Sequence, residues 1–262
     1  MIGLAVITFR RQAYLLQCLD ALAQHSWGGA YARVVIVDEP CSSAYSEVLD
    51  KYRNTVPFSF AQNGGVAAAK NRAFHRLLNE RCQHIFVIEN DILMKRADTC
   101  DVYIDYALRK GVQHLNFAYH GPLNQARTPF QYTNASKHWF DICCHLDCVG
   151  AFSYYTRKVL QEVGTMDECF HNCYEHVDHT YRIAKAGLTT PFWCFADVPD
   201  SRDYLQEIPG SGDGNSSIGP LPSAELNVLR AWEENKTRGM RHWVEKHGPF
   251  PSRPSMQELM KA

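Results

Sequence analysis

An α/β domain with a mostly parallel sheet, helices on both of its faces and a helical C-terminal extension is the fold class this sequence predicts. Three observations carry that reading. Short, wholly apolar runs alternate with longer segments of helical periodicity through the first half of the chain. The apolar runs lack the polar alternation of half-exposed strands, as expected of strands covered on both faces. Several of them stop abruptly at acidic or turn-forming residues.

Taken in order, Gly3 to Thr8 is the first apolar run, and Leu15, Leu16, Leu19, Leu22 and Ala23 then recur at helical spacing. Val34 to Val37 is a second strand, ending in Asp38, Glu39 and a turn at Pro40; Phe58 to Ala61 is a weaker third. Asn63, Gly64 and Gly65 open a helix with Val66, Ala69, Ala73 and Leu77 on its apolar face. Ile85 to Ile88 is the fourth strand. A helix follows with Cys100, Tyr103, Ile104, Ala107 and Leu108 on one face, and Val112 to Ala118 returns to extended structure.

The second half is less regular. Residues 119 to 140 read as a long loop with room for short strands, Cys148 to Tyr155 as extended chain, and Thr156 to Val163 as a short helix stopped by Gly164. A helix from Tyr174 to Gly187 has Tyr174, Val177, Tyr181 and Ala184 on its apolar face, with Glu175, Asp178 and Arg182 opposite. Gly, Ser, Pro and Asp dominate from Pro199 to Pro222, a loop or lid. Ser223 to His247 reads as helix, and the residues after Pro249 as a loose tail. There is no internal repeat.

Composition narrows the function. A chain of 262 residues with 45% hydrophobic content can bury a full core as one large domain. Its 27 basic and 28 acidic residues leave a net charge of −1, so nucleic acid is not an expected partner. Lys236, Arg238, Arg241 and Lys246 fit a solvated helix face. The opening MIGLAVITF is cut off by Arg10 and Arg11, so it reads as a strand and not a signal. No apolar run approaches the ~20 residues that span a bilayer, which leaves at most peripheral membrane association. Ten cysteines then suggest reduced thiols in a cytoplasmic compartment. Cysteines and histidines are dense between Cys143 and His179. Cys169 and Cys173 have a permissible ligand spacing, but the two residues between Cys173 and His176 are too few for a zinc finger.

The strongest chemical signal is Glu89, Asn90 and Asp91 at the end of the fourth apolar run. Two carboxylates there are costly to desolvate without a partner, and a divalent cation on a phosphate would supply one. A solvated strand end would use the same residues, so their neighbours matter. In a parallel sheet, ligands collect at the carboxyl ends of the strands. That rule brings Thr8, Asp38, Asn63 and the acidic cluster onto one rim. The G-x-G-x-x-G fingerprint after the first strand, a Walker A loop and a G-x-S-x-G elbow are all absent.

As an ordered set, Thr8 and Arg10, VIVDE with Asp38, NGGVAAAKN from Asn63 to Asn71, and FVIEND from Phe86 to Asp91 resemble the nucleotide-binding half of family 2 glycosyltransferases with the GT-A fold. VGAFSYYTRKVLQEVGTMDECF (Val149 to Phe170) and YEHVDHTYRIAKAG (Tyr174 to Gly187) are similar to that family's acceptor-side strand, helix and acidic motif. The resemblance implies a GT-A catalytic domain over residues 1–198, with a nucleotide-binding half at 1–95 and an acceptor half at 96–198. A loop or lid at 199–222 and a helical extension at 223–262 follow.

It also implies the chemistry: metal-assisted, inverting transfer of a sugar from a nucleoside-diphosphate sugar, UDP foremost, to a hydroxyl acceptor such as a glycan, as in polysaccharide biosynthesis. Thr8 and Arg10 would line the nucleotide pocket and Asp38 would contact the base. Asn63, Gly65 and Lys70 would follow the ribose and diphosphate. Glu89, Asn90 and Asp91 stand where the family has D-x-D, with Asp91 the foremost ligand of Mn²⁺ or Mg²⁺ and Glu89 replacing the usual Asp. The acidic motif departs too, since Glu175 and His176 stand for Glu-Asp. Glu175 comes first as general base, Asp178 second and His176 third. His242 and His247 are the late histidines available to a metal site. Tyr154, Tyr155, Trp139, His138 and Trp193 could stack on sugar rings. Two other readings stay open: a catalytically silent nucleotide- or glycan-binding module of this fold, and a sugar-phosphate nucleotidyltransferase.

Overall fold

A computed structural model describes residues 1–120, 122–134, 139–208 and 226–259. In chain order the first half holds β1 (Ile2–Thr8), α1 (Gln12–Gln24), β2 (Ala32–Val37), α2 (Ser46–Tyr52), β3 (Phe58–Phe60), α3 (Val66–Asn79), β4 (His84–Glu89), β5 (Ile92–Met94) and α4 (Thr99–Lys110). Next come β6 (His114–Asn116), α5 (Pro122–Gln125), β7 (Phe130–Asn134), β8 (Trp139–His145), β9 (Phe152–Thr156), α6 (Arg157–Glu162), α7 (Glu175–Lys185), β10 (Phe195–Ala196), β11 (Leu205–Glu207), α8 (Leu226–His247) and α9 (Met256–Leu259).

The central sheet has the order β3-β2-β1-β4-β9-β6. β1 pairs in parallel with β2 and β4, and β9 alone runs antiparallel to its neighbours. Period-two side-chain direction splits the apolar runs between two cores. Val6, beside Val35 and Ile88, faces the core that includes Leu15, Leu19 and Leu22 of α1. Ala5, beside Val34 and Val87, faces the core built with Ala73, Phe74 and Leu77 of α3. The chain moves from β1 outward through β2 and β3, then returns to place β4 on the other side of β1. The sheet's switch point therefore lies between the carboxyl ends of β1 and β4.

Several elements differ from the sequence reading. The region read as a long loop with room for short strands holds β7, which with β8 and β10 forms a second, antiparallel sheet, β10-β8-β7. β5 pairs with β11, so the expected lid at 199–222 begins as ordered strand; its residues 209–222, like 223–225, lie outside the described residues, as does His138. On α4 the buried face is Cys100, Tyr103, Tyr106 and Ala107, while Leu108 is exposed. On α7 the expected polar outer face is the buried one: Glu175 and Asp178 are inside with His179, Thr180 and Ile183. Charges tolerate that position because each meets a partner from a distant segment. Tyr154 and Tyr155 are core residues and Trp139 is buried on Tyr132, so none of the three offers a face to a sugar. Trp193 packs on Phe250 and under Arg253.

The described part of the segment after Pro249, residues 250–259, is packed against the domain, not loose. Leu259 is buried, and Arg253 lies 2.5 Å from Asp147. α8 docks through Trp243, fully buried, with the rings of Tyr181 and Phe250 at 5.1 and 4.6 Å. Among the described residues no helix is long and apolar enough to cross a membrane. All ten cysteines are free thiols. Trp243→Ala removes a fully buried indole that joins α8 to the domain, and urea denaturation should register a loss of about 3–5 kcal/mol.

Candidate active site

The switch point is held by short polar contacts. Thr8 Oγ1 donates to the Arg10 carbonyl at 3.1 Å, and Asn90 Nδ2 donates to Thr8 Oγ1 at 2.7 Å. The Arg10 amide donates to Glu39 Oε1 at 2.8 Å. These bonds hold two consecutive left-handed residues, Arg10 (φ 56°) and Arg11 (φ 58°), a costly conformation for side chains with a Cβ. Arg11 turns back to Asp91, with Nη1 3.1 Å from Oδ2.

Asp91 is buried, and its other oxygen, Oδ1, has no hydrogen-bond partner. Burial, then the neighbouring Glu89 charge, raises its carboxyl to about 6, although His120 and Arg11 pull the other way. A carboxylate held this unfavourably, with one oxygen free, fits a divalent cation. Glu89 is committed elsewhere, with Oε1 3.0 Å from the Lys70 ammonium.

Lys70 links the two acidic motifs. Its buried Nζ donates to the Gly150 carbonyl at 3.0 Å and lies 3.5 Å from Glu175 Oε1. Burial opposes its charge, but Glu89 and Glu175 outweigh that and push it above the ordinary lysine value. Glu175 is buried as well. Burial works against its ionisation, yet His176 and then Lys70 hold it down at about 2. Its Oε1 meets His176 Nδ1 at 2.9 Å, and its Oε2 has no partner.

At the start of α3 the amides of Gly64, Gly65 and Val66 already have acceptors. The Gly64 and Gly65 amides donate to Asp38 at 3.1 and 2.8 Å, Arg72 also pairs with Asp38, and the Val66 amide donates to the His171 carbonyl at 2.8 Å. Asn63 Oδ1 accepts from the Gly65 amide at 3.0 Å. A buried carboxylate thus already serves as the anion at this helix start. Gly65 is required there: its φ is +86°, and a Cβ would lie 2.3 Å from the His171 carbonyl oxygen.

Asp178 is likewise spoken for. Arg182 reaches its Oδ2 at 2.9 Å, while His247 and Lys246 reach Oδ1 at 2.7 and 2.9 Å. It anchors α8 and has no oxygen left for proton transfer. The late histidines accordingly sit away from Asp91, with His242 Nε2 2.9 Å from Asp167. Asp167, Cys169 and His242 offer ligand atoms within 4.8 Å of one another, but Lys246 already holds the Asp167 carboxylate at 2.7 Å.

The histidine that does act on Asp91 is His120, beyond β6, with its buried Nδ1 3.5 Å from Glu207 Oε2 and no hydrogen bond. His120 and Glu207 line a cleft of about 460 Å³ with Phe117, Tyr119, Lys95 and Arg202. Neither residue stands in a motif, and only the pairing of β5 with β11 brings Glu207 here. The sequence reading also missed Arg11 and Gly150, although Arg11 adjoins the expected Arg10.

No family model matches the chain, and no curated protein matches it. Solved structures do. The fold is similar to a mannosyltransferase, PcManGT from Pyrobaculum calidifontis, solved with GDP-Man and Mn²⁺ (TM-score 0.58, 12% identity, 99% of this chain and 68% of that one). It is also similar to TarS 1–349 of S. aureus (TM-score 0.54, 14% identity, 79% of this chain and 60% of that one). A complex of the same TarS fragment with UDP-GlcNAc gives a TM-score of 0.53 at 15% identity, over 89% of this chain and 66% of that one. The chain thus spans about 60% of the first TarS structure's length. With its mostly parallel sheet and helices on both faces, it has a GT-A-like glycosyltransferase fold.

Two predictions follow from the site's charges. Lys70→Met leaves Glu89 and buried Glu175 without their shared cation and should cost ~3–5 kcal/mol by urea denaturation; adding Glu175→Gln should restore more than half of it. Glu175 lies at about 2 against an ordinary 4.5, so its stabilising contribution is complete above pH 4.5 and drains as pH falls toward 2. Acid titration followed by circular dichroism should show that loss moving to higher pH in Lys70→Met.

Proposed function

We propose that this protein is a glycosyltransferase that moves a sugar from a nucleoside-diphosphate sugar to a hydroxyl acceptor, with inversion and with help from a divalent cation. One observation carries the reading. Two buried carboxylate oxygens, Asp91 Oδ1 and Glu175 Oε2, have no partner, and Lys70 ties Glu175 to Glu89, two residues before Asp91. Unmet buried acceptors are costly, and a cation at the first and a sugar or acceptor hydroxyl at the second would meet them. The fold adds support, since its solved neighbours include proteins bound to GDP-Man with Mn²⁺ and to UDP-GlcNAc.

In this reading Thr8, Arg10 and Asn90 form the floor of the nucleotide pocket. Asp38, Asn63 and Gly65 shape that floor from behind, because Asp38 is already bound to the amides of the α3 start. Asp91 holds Mn²⁺ or Mg²⁺, which when bound offsets the charge that develops on the leaving diphosphate. Lys70, whose ammonium is taken up by Glu89, Glu175 and the Gly150 carbonyl, keeps the two carboxylates in place beside the diphosphate. The start of α7 supplies the base, and the cleft beside His120 and Tyr119 receives a glycan or another hydroxyl acceptor.

A melting screen of UDP-, GDP-, dTDP- and CMP-sugars with and without Mn²⁺ tests the reading, since a ligand of the native state raises its melting temperature. One sugar nucleotide should raise it by several degrees with Mn²⁺, and nucleoside diphosphate should be released slowly. Stabilisation without any turnover would leave a binding module, and pyrophosphate released from a nucleoside triphosphate and a sugar phosphate would mark a nucleotidyltransferase. Asp91→Asn should raise the melting temperature of the ligand-free protein at neutral pH, because it removes an unfavourable buried charge, and should abolish the response to Mn²⁺.

A further inference from the structure

We propose that His176 is the group that takes the acceptor's proton, with Glu175 as the positioning residue behind it. The proposal rests on the glycosyl-transfer reading and assigns the base within it.

The hydrogen bond between the two residues sets the tautomer. Glu175 is ionised and has no proton to give, so at 2.9 Å its Oε1 accepts and His176 Nδ1 donates. In a neutral imidazole the other nitrogen, Nε2, then carries a lone pair. His176 Nε2 makes no hydrogen bond among the described residues, and the side chain is 23% exposed where that of Glu175 is 4% exposed. The histidine is the more exposed member of the pair.

Glu175 is poorly suited to the proton itself. Its Oε1 serves both His176 and the Lys70 ammonium, and those two partners hold it ionised far below the operating range of a general base. The same features suit it to orient an imidazole and to stabilise the imidazolium that forms. Gly150 completes the arrangement. A Cβ at Gly150 would lie 2.8 Å from His176 Cγ and 3.0 Å from Lys70 Nζ, so its absence lets the ring and the ammonium occupy the same stretch of backbone. The remaining candidate, Asp178, is fully engaged by Arg182, Lys246 and His247.

The step balances without another reagent. The acceptor oxygen forms its bond to the sugar C1 as the bond from C1 to the diphosphate oxygen breaks. The leaving electron pair stays on the diphosphate, and the hydroxyl proton passes to His176 Nε2 and then to solvent.

Three measurements test it with the nucleotide sugar selected by the melting screen. His176→Ala, or His176→Gln if the first variant folds poorly, should keep donor affinity while release of nucleoside diphosphate falls by roughly 10²- to 10⁴-fold. Added imidazole should restore part of the rate in His176→Ala and none in Asp91→Ala. Nitrogen-15 spectra of the intact wild-type protein should show His176 protonated at Nδ1 and bare at Nε2, and Glu175→Gln should disturb that pattern. Wild-type turnover in His176→Ala, or a ring protonated at Nε2, would overturn the proposal while leaving glycosyl transfer standing. Failure of every nucleotide sugar to bind the wild type would overturn the functional reading and this proposal with it.

Discussion

One buried ammonium organises the rim of the sheet. Lys70 comes from α3, Glu89 from the end of β4, Glu175 from the start of α7, and the Gly150 carbonyl from the approach to β9. Four segments that share no sequence neighbourhood therefore meet at a single Nζ. Desolvating that charge is expensive, and breaking such a group by removing one member costs more than the group contributes as a whole. Its value lies in register: α7 cannot rotate without parting Glu175 from Lys70, and β4 cannot shift without parting Glu89.

The same logic recurs one turn along α7. Asp178 gathers Arg182 from its own helix and Lys246 and His247 from α8, so the C-terminal helix is joined to the domain by charge as well as by the aromatic packing around Trp243. α7 thus carries buried carboxylates with different duties. Glu175 has one oxygen without a partner, and Asp178 spends both on structure. The difference is set by what reaches each residue and not by residue type.

Sequence periodicity was a sound guide wherever the burden fell on local pattern. The apolar runs around Val6, Val35 and Ile88 read as strands because both of their faces are covered, and α1 and α3 read as helices because each buries one stripe. The second sheet was harder to read, since β8 mixes Asp141, Cys143, Cys144 and His145, and its second partner, β10, comes only after β9, α6 and α7. On α7 the rule that charges face water pointed the wrong way, because the partners that let Glu175 and Asp178 be buried lie in α3 and α8. Asp38 and Asp91 were legible as residues of the rim. Their opposite circumstances were not: Asp38 is surrounded by donors, and Asp91 has an oxygen without one.

Gly150 bears on how this site could change over time. Any larger residue there would press on His176 and Lys70 together, and Lys70 in turn holds Glu89 and Glu175. Substitutions in the group are therefore coupled, and most single steps pass through an intermediate with a stranded charge. The cleft beside His120 and Tyr119 is lined by none of these residues, so its lining can vary without disturbing the ammonium. Gly150, with no side chain at all, marks the border of the part of the rim in which one substitution disturbs several charges at once.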